Sequence, residues 1–292
     1  MVRGPRAVGL MGFDAATIEL LLNAPRMGVR LDRVLTIGRQ RMFVTESRLR
    51  TLLSAHPESA IPPSAAPALL AEAQGYAEPF LRKLGAGEVD SLDVSEYESA
   101  TILHDMNQPL PEAYHGRFSL VMDGGSLEHV FHYTTALKNC MEAVAPGGHF
   151  LTVTPANNLL GHGFYQISPE LFFRALDPVN GFEICRALVY EQPWNGSWYE
   201  VADPKQVRTR VELTNRRQTY LAVCARRIAS VPIFAQTPQQ SDYTVLWDHS
   251  DGPPSAAGVS WKQRLPGWVG NLYRRLHPFR PPYFQKRKGP VD

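Results

Sequence analysis

Glu128 and His129 set a carboxylate beside an imidazole in the stretch Asp123-Gly124-Gly125-Ser126-Leu127-Glu128-His129. Imidazole titrates near neutral pH, and a neighbouring carboxylate can orient it to take a proton from a nucleophilic hydroxyl or amine, which makes the pair the catalytic candidate. Side chains one residue apart on a helix diverge, so an exposed helix surface is the competing reading. Asp123 closes an apolar run and precedes two glycines. A carboxylate there, with Gly124 leaving the backbone open, suits a hydroxyl- or ammonium-bearing ligand; alternatively Asp123 caps the next helix. His132, His149 and His162 add imidazoles, but no HxxxH or HExxH spacing appears and no metal is expected. Asn157, His162 and Tyr165 fall in a stretch where two asparagines precede Gly161-His162-Gly163-Phe164-Tyr165. Such residues suit the wall of a substrate pocket, although asparagine and glycine are also ordinary turn formers. Trp194 to Tyr199 carries two tryptophans and a tyrosine, fit either to stack on a sugar or to pack in the core.

These residues need a scaffold, and the pattern supplies one. Val34–Gly38 reads as a buried strand ending at a glycine, and Thr45 can cap a helix bearing Leu49, Leu52 and Leu53 on one face. Residues 56–88, with Pro57, Pro62, Pro63 and Pro67, read as an insertion. Further strands are expected at Val89–Val94, Thr101–His104, Phe118–Met122, His149–Thr154, Phe182–Glu191 and Thr219–Ala225, the last two as an antiparallel edge pair. Between Leu127 and Val144 apolar residues recur at helical spacing, and Gly147-Gly148 is expected to stop that helix. The fold class expected is α/β: a Rossmann-like, doubly wound, mostly parallel seven-stranded sheet with helices on both faces. It should occupy residues 30–229, after a helical lead-in over 1–29 and before an irregular extension over 230–292, basic from about 252. Ligands of such sheets bind beyond the carboxyl ends of the strands.

Residues 118–155, from Phe118 through Asp123, Glu128-His129 and Pro146-Gly147-Gly148 to Pro155, resemble the middle of a class I S-adenosylmethionine-dependent methyltransferase. The likeness spans roughly residues 30–228. It implies methyl transfer from S-adenosylmethionine to an O or N nucleophile of a small molecule or glycan. By the same likeness, Asp93 (or Glu96) at the end of the second strand would hold the ribose hydroxyls, and Asp105 and Met106 would border the adenine. Met106 can equally be core filler. Gly38 and Gln40 stand where the family has its glycine-rich loop. Only Gly38 of those glycines is present, Thr36 replaces the usual acid, and Arg39, Gln40 and Arg41 bring bulk. Three arrangements fit such a loop: a modified pose with Gln40 or Arg39 on the cofactor's carboxylate, a different ligand gripped by Arg39 and Arg41, or a cofactor-free scaffold that binds a partner.

The whole-chain charge of +2 on 292 residues argues against a nucleic-acid partner. Three cysteines without a CxxC pair give neither a disulfide framework nor a zinc site. No long apolar run or signal-like segment is found, so a cytoplasmic location is expected. The +2 is a cancellation: residues 252–292 carry +7 and residues 1–251 carry −5. Tryptophans and arginines over 261–288 suit a peripheral membrane surface or an acidic partner; a solvated tail is the alternative. Nothing in the sequence fixes the oligomeric state.

Overall fold

The structure is a computed structural model that describes residues 12–243 and 276–292. Its centre is one mixed sheet built from β1 (Arg33–Ile37), β2 (Glu88–Asp93), β3 (Ile102–Leu103), β4 (Phe118–Asp123), β5 (Val144–Asn157), β6 (Phe182–Glu191), β7 (Trp198–Val201), β8 (Thr219–Arg227) and β9 (Phe284–Arg287). The spatial order is β3-β2-β1-β4-β5-β8-β6-β7-β9. The first five are parallel, and every pairing from β5 to β9 is antiparallel.

All seven expected strands are present, but the count is corrected to nine, and the sheet expected to be mostly parallel is evenly mixed, with four parallel and four antiparallel pairings. β7 arises in the tryptophan-rich stretch, and β9 in the basic extension pairs with it from Trp198↔Arg287 to Val201↔Phe284. The antiparallel pair β6 and β8 is therefore interior to the sheet, with β8 inserted beside β5.

Alternation along the strands sends side chains into two cores. Val34, Leu120 and Met122 face one, with Leu20, Leu49 and Phe80 from helices α1 (Ala15–Asn23), α2 (Glu46–Ala55) and α4 (Glu78–Lys83). The short α3 (Ala66–Ala71) adds Leu69 to that layer. Leu35, Ile37 and Val121 face the other, under α5 (Tyr133–Ala143) and α6 (Pro169–Ala175). A single turn, α7 (Pro204–Val207), follows β7. β4 is buried at all six positions, as a central strand covered on both faces must be.

The caps follow the sequence. Thr45 Oγ1 accepts from Arg48 N at 3.3 Å, and Ser168 Oγ from Glu170 N at 3.3 Å with Pro169 in the first turn. The lead-in helix is tied to the sheet by buried polar contacts. Asp14 caps α1 through Thr17 N at 2.8 Å and accepts from the Tyr190 hydroxyl at 3.1 Å. Glu19 accepts from Trp198 Nε1 at 2.9 Å. Trp198 is fully buried, so it takes the packing role of the two left open for it.

One helix differs from expectation. Leu127–His129 forms a single 3-10 turn, Val130 is extended, and α5 begins only at Tyr133. α5 gives way to β5 at Val144, ahead of the glycine pair, and the register of β4 against β5 shifts between Phe118 and Leu120. Gly147-Gly148 thus lies within the strand and stops no helix.

Candidate functional site

β1 and β4 are neighbours whose chain connections run to opposite sides of the sheet, and a crevice opens beyond their carboxyl ends. A cavity of about 720 Å³ lies there, a volume suited to a small molecule or cofactor. Gly38, Gln40, Asp93, Gly125 and Ser126 line it, with Tyr76, Tyr97 and Glu98 on its outer wall.

The bulky loop after β1 is held in the wall. Arg39 Nε donates to Glu78 at 2.6 Å and its Nη1 to the Glu98 carbonyl at 2.9 Å. Its guanidinium stacks 4.1 Å from the Tyr76 ring centre, and that of Arg41 4.5 Å from it. The Tyr76 hydroxyl donates in turn to Glu98 at 2.9 Å. Tyr76 and Glu78 come from the 56–88 insertion, which sequence reading did not connect to the site. Its only signal there was an aromatic and an acid amid prolines and alanines.

Gln40 is buried and bridges the two strand ends. Its Nε2 donates to the Ile37 carbonyl at 2.5 Å and to Ser126 Oγ at 3.1 Å. A Cβ at position 124 would come within 2.6 Å of Gln40 Oε1, so a larger residue there would have to displace the Gln40 side chain. Gly124 therefore packs on Gln40, and Gly125 lines the cavity.

Asp123 takes the capping geometry. It is fully buried; Oδ1 accepts from Ser126 N at 2.8 Å and Leu127 N at 3.3 Å, and Oδ2 from Thr152 Oγ1 at 2.8 Å. Burial, aided by the nearby Glu128, pushes its carboxyl up to about 7. Both oxygens are engaged within the chain, so the side chain shapes the turn that carries Gly125 and Ser126.

Asp93 is partly exposed at the cavity, with Oδ1 accepting from Ser95 N at 3.0 Å. Asp105 and Met106 lie elsewhere. Asp105 Oδ1 accepts from Asn107 N at 2.9 Å and Nδ2 at 2.8 Å, and those hydrogen bonds lower its carboxyl. Met106 is buried in the core beside Asn139, the filler alternative.

Two residues beyond Ser126, Glu128 meets both histidines. Its Oε1 lies 4.0 Å from His129 Nε2 and 3.6 Å from His162 Nε2. The 3-10 turn lets Glu128 point inward while the His129 side chain stays half exposed. His162 is brought over by its own loop, where Phe164 N donates to the Glu128 carbonyl at 2.8 Å. Gly163 makes that approach possible: its φ is +66°, and a Cβ there would lie 2.8 Å from the same carbonyl oxygen. Side-chain atoms of Glu128, His129 and His162 lie within 4.8 Å of one another. Spacing could not show this group, because its third member is 33 residues away in sequence. His132 and His149 are not in it: His132 N donates to Asn107 Oδ1 at 2.9 Å, and His149 is buried in β5.

Tyr165 donates to the Phe131 carbonyl at 2.6 Å and packs edge-on against Tyr133. Phe131 and Phe164, 62% and 64% exposed, meet edge to face and give the group an apolar rim. Asn157 turns away, its Nδ2 donating to Asn215 at 2.9 Å. A further cavity of about 570 Å³ lies at the opposite edge, among β6, β7 and β9, away from the carboxyl ends of the parallel strands.

No family model and no curated protein matches the chain. Solved structures similar to it are S-adenosylmethionine-dependent methyltransferases at low identity. One from Mesorhizobium loti is 16% identical, with 70% of this chain and 98% of that one covered and a TM-score of 0.40. A second, from Aquifex aeolicus, is 11% identical over 74% and 99%, with a TM-score of 0.37. A third is the 1,6-didemethyltoxoflavin-N1-methyltransferase of Burkholderia thailandensis, with S-adenosylhomocysteine bound. It is 16% identical over 74% and 78%, with a TM-score of 0.36.

Proposed function

We propose that the chain is an S-adenosylmethionine-dependent methyltransferase acting on an O or N nucleophile of a small molecule or glycan. The observation that carries this reading is the cavity at the strand-order reversal, with the Glu128–His129–His162 group on the turn that leaves it. The lining supports this reading: Gly38 and Gly125 add no side chain to the cavity wall, and Asp93 there offers a carboxylate of the kind that accepts ribose hydroxyls. Gln40 would have to release Ile37 or Ser126 before its amide could meet the cofactor's carboxylate end.

The cofactor, when bound, supplies a methyl group on a sulfonium that needs no acid to leave. The chain's part is then alignment of the nucleophile and acceptance of its proton. His129, half exposed next to an enclosed Glu128, is placed to take that proton at Nε2, and Phe131 and Phe164 would receive an apolar part of the acceptor.

A cofactor-free scaffold is the second reading. It is favoured by Gln40, whose side chain fills the space over Gly124 and is bonded on both sides of the crevice. Calorimetric titration separates the two. S-adenosylhomocysteine should bind the intact chain, and Asp93→Asn should weaken it about tenfold, as loss of one well-made polar contact does. Absence of heat with either S-adenosylmethionine or S-adenosylhomocysteine at millimolar concentration leaves the scaffold.

A further inference from the structure

Three buried polar atoms converge beside the cavity with no hydrogen-bond partner: both carboxylate oxygens of Glu128 and Nε2 of His162. Glu128 is fully enclosed, and neither histidine nitrogen, at 3.6 and 4.0 Å, is close enough to hydrogen-bond it. No lysine or arginine among the described residues pairs with it. A buried carboxylate is stable only when something cationic or hydrogen-bonding meets it.

We propose that Glu128, His129 and His162 bind one divalent transition-metal ion of the zinc class. Two ligands each about 2.1 Å from such an ion sit about 3.4 Å apart in tetrahedral geometry and at most about 4.2 Å apart. The 3.6 and 4.0 Å separations fall in that window, while the bound on all three groups, 4.8 Å, reaches past it, so binding requires the imidazoles to draw together. The half-exposed His129 can close what difference remains.

Two imidazoles and one carboxylate favour Zn²⁺, Co²⁺ or Fe²⁺ over Mg²⁺ and Ca²⁺, which prefer all-oxygen shells. Three protein ligands leave further positions on the side of His129, open to water or to an incoming hydroxyl. The set is partly built in advance: the 2.8 Å bond from Phe164 N to the Glu128 carbonyl fixes the His162 loop, and the two imidazoles touch edge to face with centroids 4.9 Å apart. If the methyl-transfer reading holds, the ion lies where the acceptor would bind and occupies the His129 Nε2 that otherwise takes the proton, so the two uses of that nitrogen exclude one another. Binding of the ion itself rests on no cofactor.

The test uses the full, tag-free chain after chelation and dialysis, titrated with Zn²⁺ by calorimetry and with Co²⁺ by visible absorption. One ion per chain with micromolar or tighter affinity is expected, and a Co²⁺ band of low-coordinate type. His129→Ala, an exposed substitution that leaves the core intact, should weaken binding roughly 100-fold or more, as should Glu128→Gln. His132→Ala should change nothing. No binding below millimolar Zn²⁺, or affinity unchanged in His129→Ala and His162→Ala, overturns the proposal. Metal binding without S-adenosylhomocysteine binding would keep this site and remove the methyltransferase reading; the reverse would do the opposite.

Discussion

Gly163 and Asp123 are the two residues on which the turn chemistry of the site most depends. Alanine at 163 must adopt φ near +66° and press a Cβ to 2.8 Å from the Glu128 carbonyl, so Gly163→Ala should cost about 1–3 kcal/mol in urea unfolding. The same change should displace His162 and weaken Zn²⁺ binding. Asp123 gives a pH signature. Burial pushes its folded carboxyl up to about 7 from an ordinary 3.8, so between those values the folded chain holds a proton that the unfolded chain has lost. Stability from this group falls as pH rises from about 4 to about 7 and is level above. Asp123→Asn should therefore gain on the parent across that window, by a few kcal/mol at most, in denaturant unfolding at stepped pH; a difference independent of pH refutes it. The sequence showed an acid at a strand end next to glycines. It could not show that Thr152, on β5, would satisfy the second oxygen, because that bond spans 29 residues. For the same reason Glu128–His129 was legible as a pair, and His162 was not legible as its third member.

At the scale of elements, the parallel strands announced themselves because central burial demands nearly continuous apolar runs such as Phe118–Met122, broken only by Ser119. β7 and β9 did not. Each is four residues long, and their pairing joins a tryptophan-rich stretch to a basic one with no run to mark either. Packing holds this edge more than charge does. Phe284 is buried and meets Phe279, which stacks on Tyr199 at 3.9 Å. Phe284→Ala should cost about 3 kcal/mol. Arg287 pairs with Glu200 across the same two strands, both partly exposed, and Arg287→Ala should cost under about 1 kcal/mol. Equal losses in matched urea curves would reverse that ranking. The helix expected from Leu127 shows where periodicity misleads: apolar spacing continued through the 3-10 turn and the extended Val130, but the helix begins only at Tyr133.

Across the whole molecule, charge is divided: −5 on residues 1–251 and +7 on 252–292. Of the stretch 261–288 expected to meet a membrane surface or an acidic partner, residues 261–275 lie outside the described residues. Among the described residues no helix is long and apolar enough to cross a membrane. A surface contact would rest on charge, at about 1 kcal/mol for each basic residue near an anionic bilayer. The intact chain should pellet with phosphatidylserine vesicles at low salt. Replacing Lys262, Arg264, Arg274 and Arg275 by glutamine should leave it in the supernatant, and pelleting that survives the replacement excludes those four residues as the contact. Truncation would be the wrong instrument, since it also removes β9.

That last strand has a consequence for how the chain is made. Until residues 284–287 emerge from the ribosome, β7 has a bare row of amides and carbonyls along one side. A bare row of that kind recruits strands from other copies. The strand that seals it carries Lys286 and Arg287, flanked by Lys288, so the sheet's final border in that direction is a basic one, of the kind that discourages another chain from adding on.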